Sequence, residues 1–217
     1  RNGLLASEGA TILVLEREDK AIARSARILA RVGPTVRAFS PNAGRTAPAS
    51  GHPAERDARA DELAELLQDR LSQQPDPGQS DLGQSDPGQS DPGPSDDGQT
   101  GSIPPIAIDT IISGANGSVR GDALEAAVLQ RCVARGTMAA DARVLVPKAV
   151  HGEFGGGTLG AAMLAFAGAD FAIPRACNQT DSALDITLAD GPVHARRVLC
   201  SAHAAGGVSA WTLLERP

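Results

Sequence analysis

The chain has 217 residues, of which 41% are hydrophobic and only 2% aromatic, and its formal net charge is −6 at pH 7. This length suits one substantial domain or two small ones, and the core must be built from aliphatic side chains. The negative charge argues against non-specific binding of nucleic acid, which needs a basic surface.

Three cysteines, Cys132, Cys177 and Cys200, are widely spaced and odd in number. They form neither a metal-binding pattern nor a disulfide framework, so we expect no metal, no cofactor and a reducing, cytoplasmic compartment. No apolar run is long enough to span a membrane, and no signal peptide is recognised. The chain opens on Arg1, and we expect it to start inside a larger protein.

Four elements are predicted before residue 73. The apolar run Ala10–Glu16 predicts a buried strand. Residues 17–30 predict a helix that leads into a strand around 28–39, and Pro34 places that strand at a sheet edge or a bulge. Residues 55–72 repeat apolar side chains at helical spacing and predict an amphipathic helix.

A repeat segment follows, in which glycine recurs every five residues of Gln74–Gly101, mostly as GQSDP. It cannot bury enough apolar surface to offset the entropy lost on ordering, so we predict disorder. We interpret the segment as an expanded surface loop, and the alternative is a tether or docking segment.

The next elements are predicted as a strand at 106–112, a polar turn at 113–122, a helix at 123–135 and a strand at 143–146. Further on, the patterns predict an antiparallel pair of strands at 184–188 and 195–201, a tight turn at Gly206–Gly207 and a last strand at 210–214. Strands and helices that alternate and end in a small antiparallel meander indicate an α/β fold.

The stretch Pro147–Gly160, PKAVHGEFGGGTLG, carries a lysine, a histidine and a glutamate among five glycines, just before an Ala-rich predicted helix at 161–170. Glycine lets backbone approach a ligand or another backbone closely, because it has no Cβ. Spacing alone leaves two interpretations open. The stretch is either an ordinary strand-to-helix connection or the mouth of a site.

Four segments together resemble one family. Residues 1–16, RNGLLASEGATILVLE, are similar to RDGFVxGEGAGxLVLE, and residues 115–125 fall where that family has AHGTSTxxGDxxE. Residues 148–160 fall on KxxxGHxxGAAG, and residues 201–210 fall on SFGFGGTNA. In this order they resemble the later half of a β-ketoacyl-acyl-carrier-protein synthase, a ketosynthase of the thiolase fold.

The resemblance implies a thiolase-like α/β fold and three parts. Residues 1–73 correspond to the end of the N-terminal ketosynthase half with a connecting helix. Residues 74–102 are the repeat loop, and residues 103–217 are the C-terminal ketosynthase domain.

The resemblance also implies which active-site positions are changed. The family's nucleophilic cysteine lies upstream of this chain, and its two histidines fall on Asn116 and Glu153. The family lysine is kept as Lys148. The gating FGFGG falls on residues 203–207, so that both phenylalanines are lost and the acyl-tunnel or gating positions are His203, Ala205, Gly206 and Gly207.

These changes bear on catalysis, because the enolate formed by decarboxylation of a malonyl thioester needs preorganised donors. Asn116 can donate a hydrogen bond, but an ionised Glu153 repels both malonyl carboxylate and enolate. A Glu153–Lys148 ion pair would neutralise the site without restoring catalysis. His151 lies two residues from Glu153 and could substitute for the lost imidazole, and His203 either reaches a vestigial pocket or fills the space left by the phenylalanines.

Loss of both histidines resembles the chain-length-factor, or KSβ, subunits. The first hypothesis is therefore a non-catalytic subunit of fatty-acid or polyketide biosynthesis that completes a dimer with a ketosynthase chain carrying the cysteine half. It would work with an acyl carrier protein and line an acyl tunnel with Ala161, Ala162 and Ala205. The second hypothesis is a split enzyme in which Asn116 and Lys148 serve a slow or altered acyl transfer. The third is a degenerate ketosynthase without an independent role.

Overall fold

The computed structural model describes residues 6–39, 53–72, 107–171, 187–204 and 208–217. The repeat loop, Cys177, Ala205 and the predicted turn at Gly206–Gly207 therefore lie outside the described residues.

Helices and strands alternate along most of the described chain. In order they are α1 (Glu18–Ala23), β1 (Arg31–Phe39), α2 (Pro53–Ser72), β2 (Ile108–Ile112), α3 (Val119–Ala134), β3 (Met138–Leu145), α4 (Lys148–His151), α5 (Gly157–Ala167), β4 (Asp170–Phe171), β5 (Thr187–Leu188), β6 (Gly191–Pro192), β7 (Arg197–His203) and β8 (Val208–Glu215).

Six of these strands form one mixed sheet in the order β1-β8-β7-β2-β3-β5, and β4 pairs with β6 in a separate small sheet. Strand β2 is parallel to both β3 and β7, and α3 is the crossover between β2 and β3. Strands β7, β8 and β1 are antiparallel neighbours. The predicted α/β class is confirmed, and the chain ends in an antiparallel pair of strands, β7 and β8.

Helices cover both faces of the sheet, so the core has two halves. Successive strand residues point to opposite faces. Ile111 therefore packs in the cluster that contains α2 and α3, whereas Ile112 packs in the cluster that contains α5. The same alternation places Leu213 and Leu214 on opposite faces. Residues from both sides of the repeat loop share this core.

Several local predictions hold. The amphipathic helix predicted at 55–72 is α2, whose apolar positions Leu63 and Leu67 are fully buried. The helix predicted at 123–135 is α3, which begins earlier because the hydroxyl of Ser118 caps it by accepting from the amide of Gly121. Strand β1 lies at the edge of the sheet and has a register shift between Val32 and Thr35, as Pro34 predicted.

The buried strand predicted at Ala10–Glu16 is wrong. The stretch has no regular secondary structure, and the side chains of Ile12, Val14 and Leu15 are 91%, 85% and 78% exposed. An apolar run becomes a buried strand only beside other strands, and no described residue pairs with this one. The helix predicted over 17–30 is also shorter, because Ser25 adopts a positive φ of 56° just after α1.

The antiparallel pairing predicted between 184–188 and 195–201 is also wrong. Strand β5 pairs in parallel with β3, and β7 lies between β2 and β8. Residues of β7 are buried in succession, from Val198 to Ser201, which is typical of a strand covered on both faces. The chain that precedes β7 instead forms β6, which pairs with β4.

Candidate functional site

The candidate site forms at the loops that follow β2 and β3. The two strands are parallel neighbours, so their carboxyl ends meet at one edge of the sheet. Asn116 lies on the loop after β2, and Lys148 and Glu153 lie on the segment after β3. The fold thus brings together three predicted site residues, although Asn116 and Glu153 are 37 positions apart in the sequence.

Glu153 is the centre of this cluster. One of its carboxylate oxygens, Oε1, lies 2.8 Å from Nζ of Lys148, and the other, Oε2, accepts a hydrogen bond of 3.2 Å from Nδ2 of Asn116. The side chain of Lys148 is only 7% exposed, so its charge is largely removed from water. The predicted Glu153–Lys148 ion pair is present, and the asparagine amide joins it.

Asn116 is held by the first turn of α3. Both carboxylate oxygens of Asp122 accept backbone amides, from Asn116 at 3.1 Å and from Gly117 at 2.9 Å. The side-chain oxygen of Asn116 accepts the amide of Ser118 at 3.1 Å. Burial raises the pKa of Asp122, and its two amide hydrogen bonds offset only part of that effect. Asn116 therefore presents its amide nitrogen to Glu153 from a fixed loop.

His151 has other contacts. Its Nδ1 lies 2.7 Å from the carbonyl oxygen of Gly152, and its ring packs against Phe154 at a centroid distance of 4.7 Å. A Cβ on Gly157 would come within 2.7 Å of the imidazole. Within the described residues, no hydrogen bond or ion pair joins His151 to Glu153 or Lys148. Its role as a substitute imidazole remains a prediction without geometric support.

A second polar cluster surrounds Glu125, which the sequence placed in the first turn of the helix predicted at 123–135 and at the last position of the motif segment 115–125. Glu125 is almost completely buried and accepts the hydroxyl of Ser113 at 2.8 Å, the amide of Gly114 at 3.0 Å and the hydroxyl of Ser201. Burial alone raises the pKa of Glu125, but His203 and the two hydroxyls outweigh it, so that the pKa lies below its ordinary value. This cluster ties β2, α3 and β7 together.

His203 belongs to this second cluster. Its Nε2 lies 3.9 Å from Oε1 of Glu125, which is a charge contact when the imidazole is protonated but too long for a hydrogen bond. Its ring meets the edge of Trp211 at 5.3 Å. The imidazole also packs closely on Gly114, because a Cβ added to that glycine would lie only 3.1 Å from Cδ2 of His203. The gating role predicted for His203 stays a prediction, as does that of Ala205, Gly206 and Gly207.

A cleft of about 610 Å³ is lined in part by the segment after β3, through Pro147, His151 and Phe154. Ala161, one of the predicted tunnel residues, lines this cleft, whereas Ala162, the next residue of α5, is fully buried in the core. Among the described residues no group of three or more His, Cys, Asp or Glu side chains is arranged to hold a metal ion. In the same part of the chain, no helix is both long and apolar enough to cross a membrane.

The two described cysteines should be chemically inert. Burial raises the pKa of Cys132 and of Cys200 to about 12, so the reactive thiolate is scarce at neutral pH. In a Cys177→Ser variant, we expect both thiols to react with Ellman's reagent at least about a thousandfold more slowly in the native protein than in urea. Rapid native reaction of either thiol would contradict the buried positions.

No protein-family model matches the chain, and no curated protein matches it. Solved structures do match. A chain in the complex of a type II polyketide synthase acyl-carrier protein with its ketosynthase, bound to the hexaketide, superposes with a TM-score of 0.65 and 12% identity over 93% of this chain and 42% of its own.

Two further structures agree with this match. The ishigamide ketosynthase/chain length factor has a TM-score of 0.58 and 22% identity over 99% of this chain and 45% of its own. An oxazolomycin ketosynthase domain from Streptomyces albus JA3453 has a TM-score of 0.58 and 18% identity over 93% of this chain and 32% of its own. The chain therefore has the thiolase-like fold of ketosynthases and spans less than half the length of these structures.

Proposed function

We propose that the chain is a non-catalytic, ketosynthase-like subunit of fatty-acid or polyketide biosynthesis, of the chain-length-factor type. In this proposal it corresponds to the later half of the ketosynthase fold, with residues 1–73 and 103–217 on either side of the repeat loop. One observation carries the proposal. Glu153 accepts both donors that stand near the family's histidine positions, Nζ of Lys148 and Nδ2 of Asn116.

The chemistry explains why this observation matters. Decarboxylation of a malonyl thioester places negative charge on an enolate oxygen, and the rate depends on donors that are free to bind it. Loss of one such donor typically costs about a hundredfold to a thousandfold in rate. Here both donors bind the carboxylate of Glu153, and the negative charge of that carboxylate repels an enolate. The split-enzyme alternative requires Glu153 to release both donors, and no contact among the described residues favours that release.

The partners of this proposed subunit are a ketosynthase chain that carries the cysteine half and an acyl carrier protein. The matched structures include a ketosynthase in complex with its acyl-carrier protein and a ketosynthase/chain length factor. By analogy, this chain completes a dimer in the cytoplasm and contributes apolar lining to an acyl tunnel. The expected effect is on the length of the product and not on the bond-forming step.

Release of carbon dioxide tests the absence of catalysis. We expect the full chain, incubated with carboxyl-labelled malonyl-acyl-carrier protein, to release label no faster than buffer. The reason is that Lys148 and Asn116 are both engaged by Glu153. Release above buffer that disappears in a Lys148→Ala variant would overturn the non-catalytic assignment. A second assay adds the chain to a ketosynthase and acyl-carrier protein of the same source, where the proposed function predicts a changed distribution of product lengths.

A further inference from the structure

Glu125 is a buried carboxylate whose charge has one candidate counter-charge among the described residues, the imidazole of His203. The side chain of Glu125 is 2% exposed, and in the described part of the chain no lysine or arginine pairs with it. Its pKa lies below the ordinary value, so the carboxylate is ionised at neutral pH. A buried charge is costly unless donors or a counter-charge compensate it. Its three hydrogen-bond donors supply dipoles, and only His203 can supply a positive charge.

The imidazole of His203 faces Glu125 without forming a hydrogen bond. Its Nε2 is buried, has no hydrogen-bond partner among the described residues and lies 3.9 Å from Oε1 of Glu125. A movement of about 1 Å would bring the two atoms within hydrogen-bond distance. One neutral tautomer turns a lone pair toward the carboxylate, and the other turns an uncharged N–H toward it. Only the imidazolium directs both an N–H and a positive charge at Glu125.

The other neighbours of His203 hold its ring in place and add no positive charge. Trp211 on β8 meets the ring at 5.3 Å, and the backbone of Gly114 lies against its other side chain atoms. The second charged group that acts on the imidazole is the carboxylate of Asp122, which also belongs to α3. Helix α3 therefore faces the end of β7 with two carboxylates, and both attract a positive charge at His203.

Glu125 also holds the loop of residues 113–118, here named the Asn116 loop. The oxygen that faces His203, Oε1, accepts the amide of Gly114 at 3.0 Å. Two residues further along the same loop, the side chain of Asn116 donates to Glu153 at 3.2 Å. A change of charge at the contact between Glu125 and His203 therefore acts on the loop that completes the candidate site.

We propose that Glu125 and His203 form a proton-sensitive switch that couples the end of β7 to the Asn116 loop. With the proton bound, the imidazolium pairs with Glu125, and the neutralised cluster holds the loop in place. When the proton leaves, Glu125 is a buried anion compensated only by dipoles, and the loop opens more often. A proton that binds the ordered cluster more tightly than the opened one must stabilise the ordered cluster, so the stability of the loop falls as the pH rises through this titration. The switch concerns proton binding and not catalysis, so it stands whether or not the proposed function holds.

The first test uses Trp211, the only tryptophan of the chain, as a reporter of the neighbouring imidazole. An imidazolium quenches the fluorescence of an adjacent indole more strongly than a neutral imidazole does. We expect the emission of the full chain to rise in one transition with increasing pH, over a range in which far-ultraviolet circular dichroism is constant. His203→Gln should remove the transition, and so should His203→Phe, which keeps a ring beside the indole. His194→Gln is the matched control, because His194 is an exposed imidazole that packs near Gly168, and it should leave the transition unchanged.

The second test measures the Asn116 loop itself, by amide hydrogen exchange followed with nuclear magnetic resonance. We expect the protection of the Gly114 and Asn116 amides, corrected for intrinsic exchange at each pH, to fall about tenfold or more across the transition. The amide of Arg197 is the matched control. It donates to the carboxylate of Asp109 at 3.1 Å at the start of β7, far from His203 at the end of that strand, and its protection should stay constant.

A Glu125→Gln variant separates the switch from simple titration of a histidine. The emission of Trp211 should still change with pH in this variant, but the protection of the Gly114 amide should no longer follow it. A folded chain whose emission does not titrate, or a transition that persists in both His203 variants, would overturn the proposal. Unchanged protection across the transition, or equal coupling in the wild-type and Glu125→Gln proteins, would overturn it as well.

Discussion

Truncation of Trp211 to alanine should lower the free energy of unfolding by about 3–5 kcal/mol. Trp211 is fully buried on β8, in the core half that contains α2 and α3. Its neighbours across the sheet are Val36 on β1 and Ser201 on β7, so the residue holds three strands in place. Only 2% of the residues are aromatic, and the ring that contacts Trp211 is the imidazole of His203, which is much smaller than the indole that it would have to replace. Urea unfolding followed by far-ultraviolet circular dichroism measures the loss.

A Trp211→Phe variant is the matched control for this effect. It keeps a ring in the cavity and removes an indole nitrogen that has no hydrogen-bond partner among the described residues. We therefore expect a loss clearly smaller than that of the alanine variant. Equal stability of wild-type and alanine variants would show that Trp211 is not buried in the folded protein.

Replacement of Glu125 by alanine should cost about 3 kcal/mol, because it removes the acceptor shared by Ser113, Gly114 and Ser201. A buried donor that loses its acceptor keeps the cost of its desolvation without the compensating bond. The substitution also leaves a cavity between α3 and the sheet. Thermal unfolding of both proteins at neutral pH measures the difference.

The Glu125→Gln variant separates charge from volume, because it keeps the size of the side chain and one acceptor oxygen. We expect it to be intermediate in stability and less dependent on pH. In the folded protein the pKa of Glu125 lies below its ordinary value, which applies in the unfolded chain. At pH values between the folded and the unfolded pKa, the unfolded chain therefore binds more protons than the folded protein. This group therefore stabilises the fold above that range, and its contribution is lost as the pH falls through it. An equally steep acid loss in both proteins would contradict this assignment.

Much of the candidate site was predictable because its residues follow strands. Asn116 comes after β2 and Lys148 after β3, and the carboxyl ends of neighbouring parallel strands must meet. The resemblance placed Lys148 and Glu153 at one site, where an ion pair between them would neutralise the charge, and the structure contains that pair. The hydrogen bond from the amide of Asn116 to Glu153 could not be predicted from the sequence, because it depends on how Asp122 fixes the loop.

The sequence by itself determined the class of the fold, the amphipathic helix α2 and the edge position of β1, because these follow from local spacing and backbone chemistry, which act over a few residues. Asn116, Lys148 and Glu153 were singled out by the resemblance of their segments to ketosynthase motifs and not by spacing alone. The tertiary structure alone decided that β7 lies between β2 and β8 and that Glu125 meets Ser201, which is 76 residues away. It also decided that Ile12, Val14 and Leu15 are exposed, because burial of a strand depends on neighbours that local sequence does not specify.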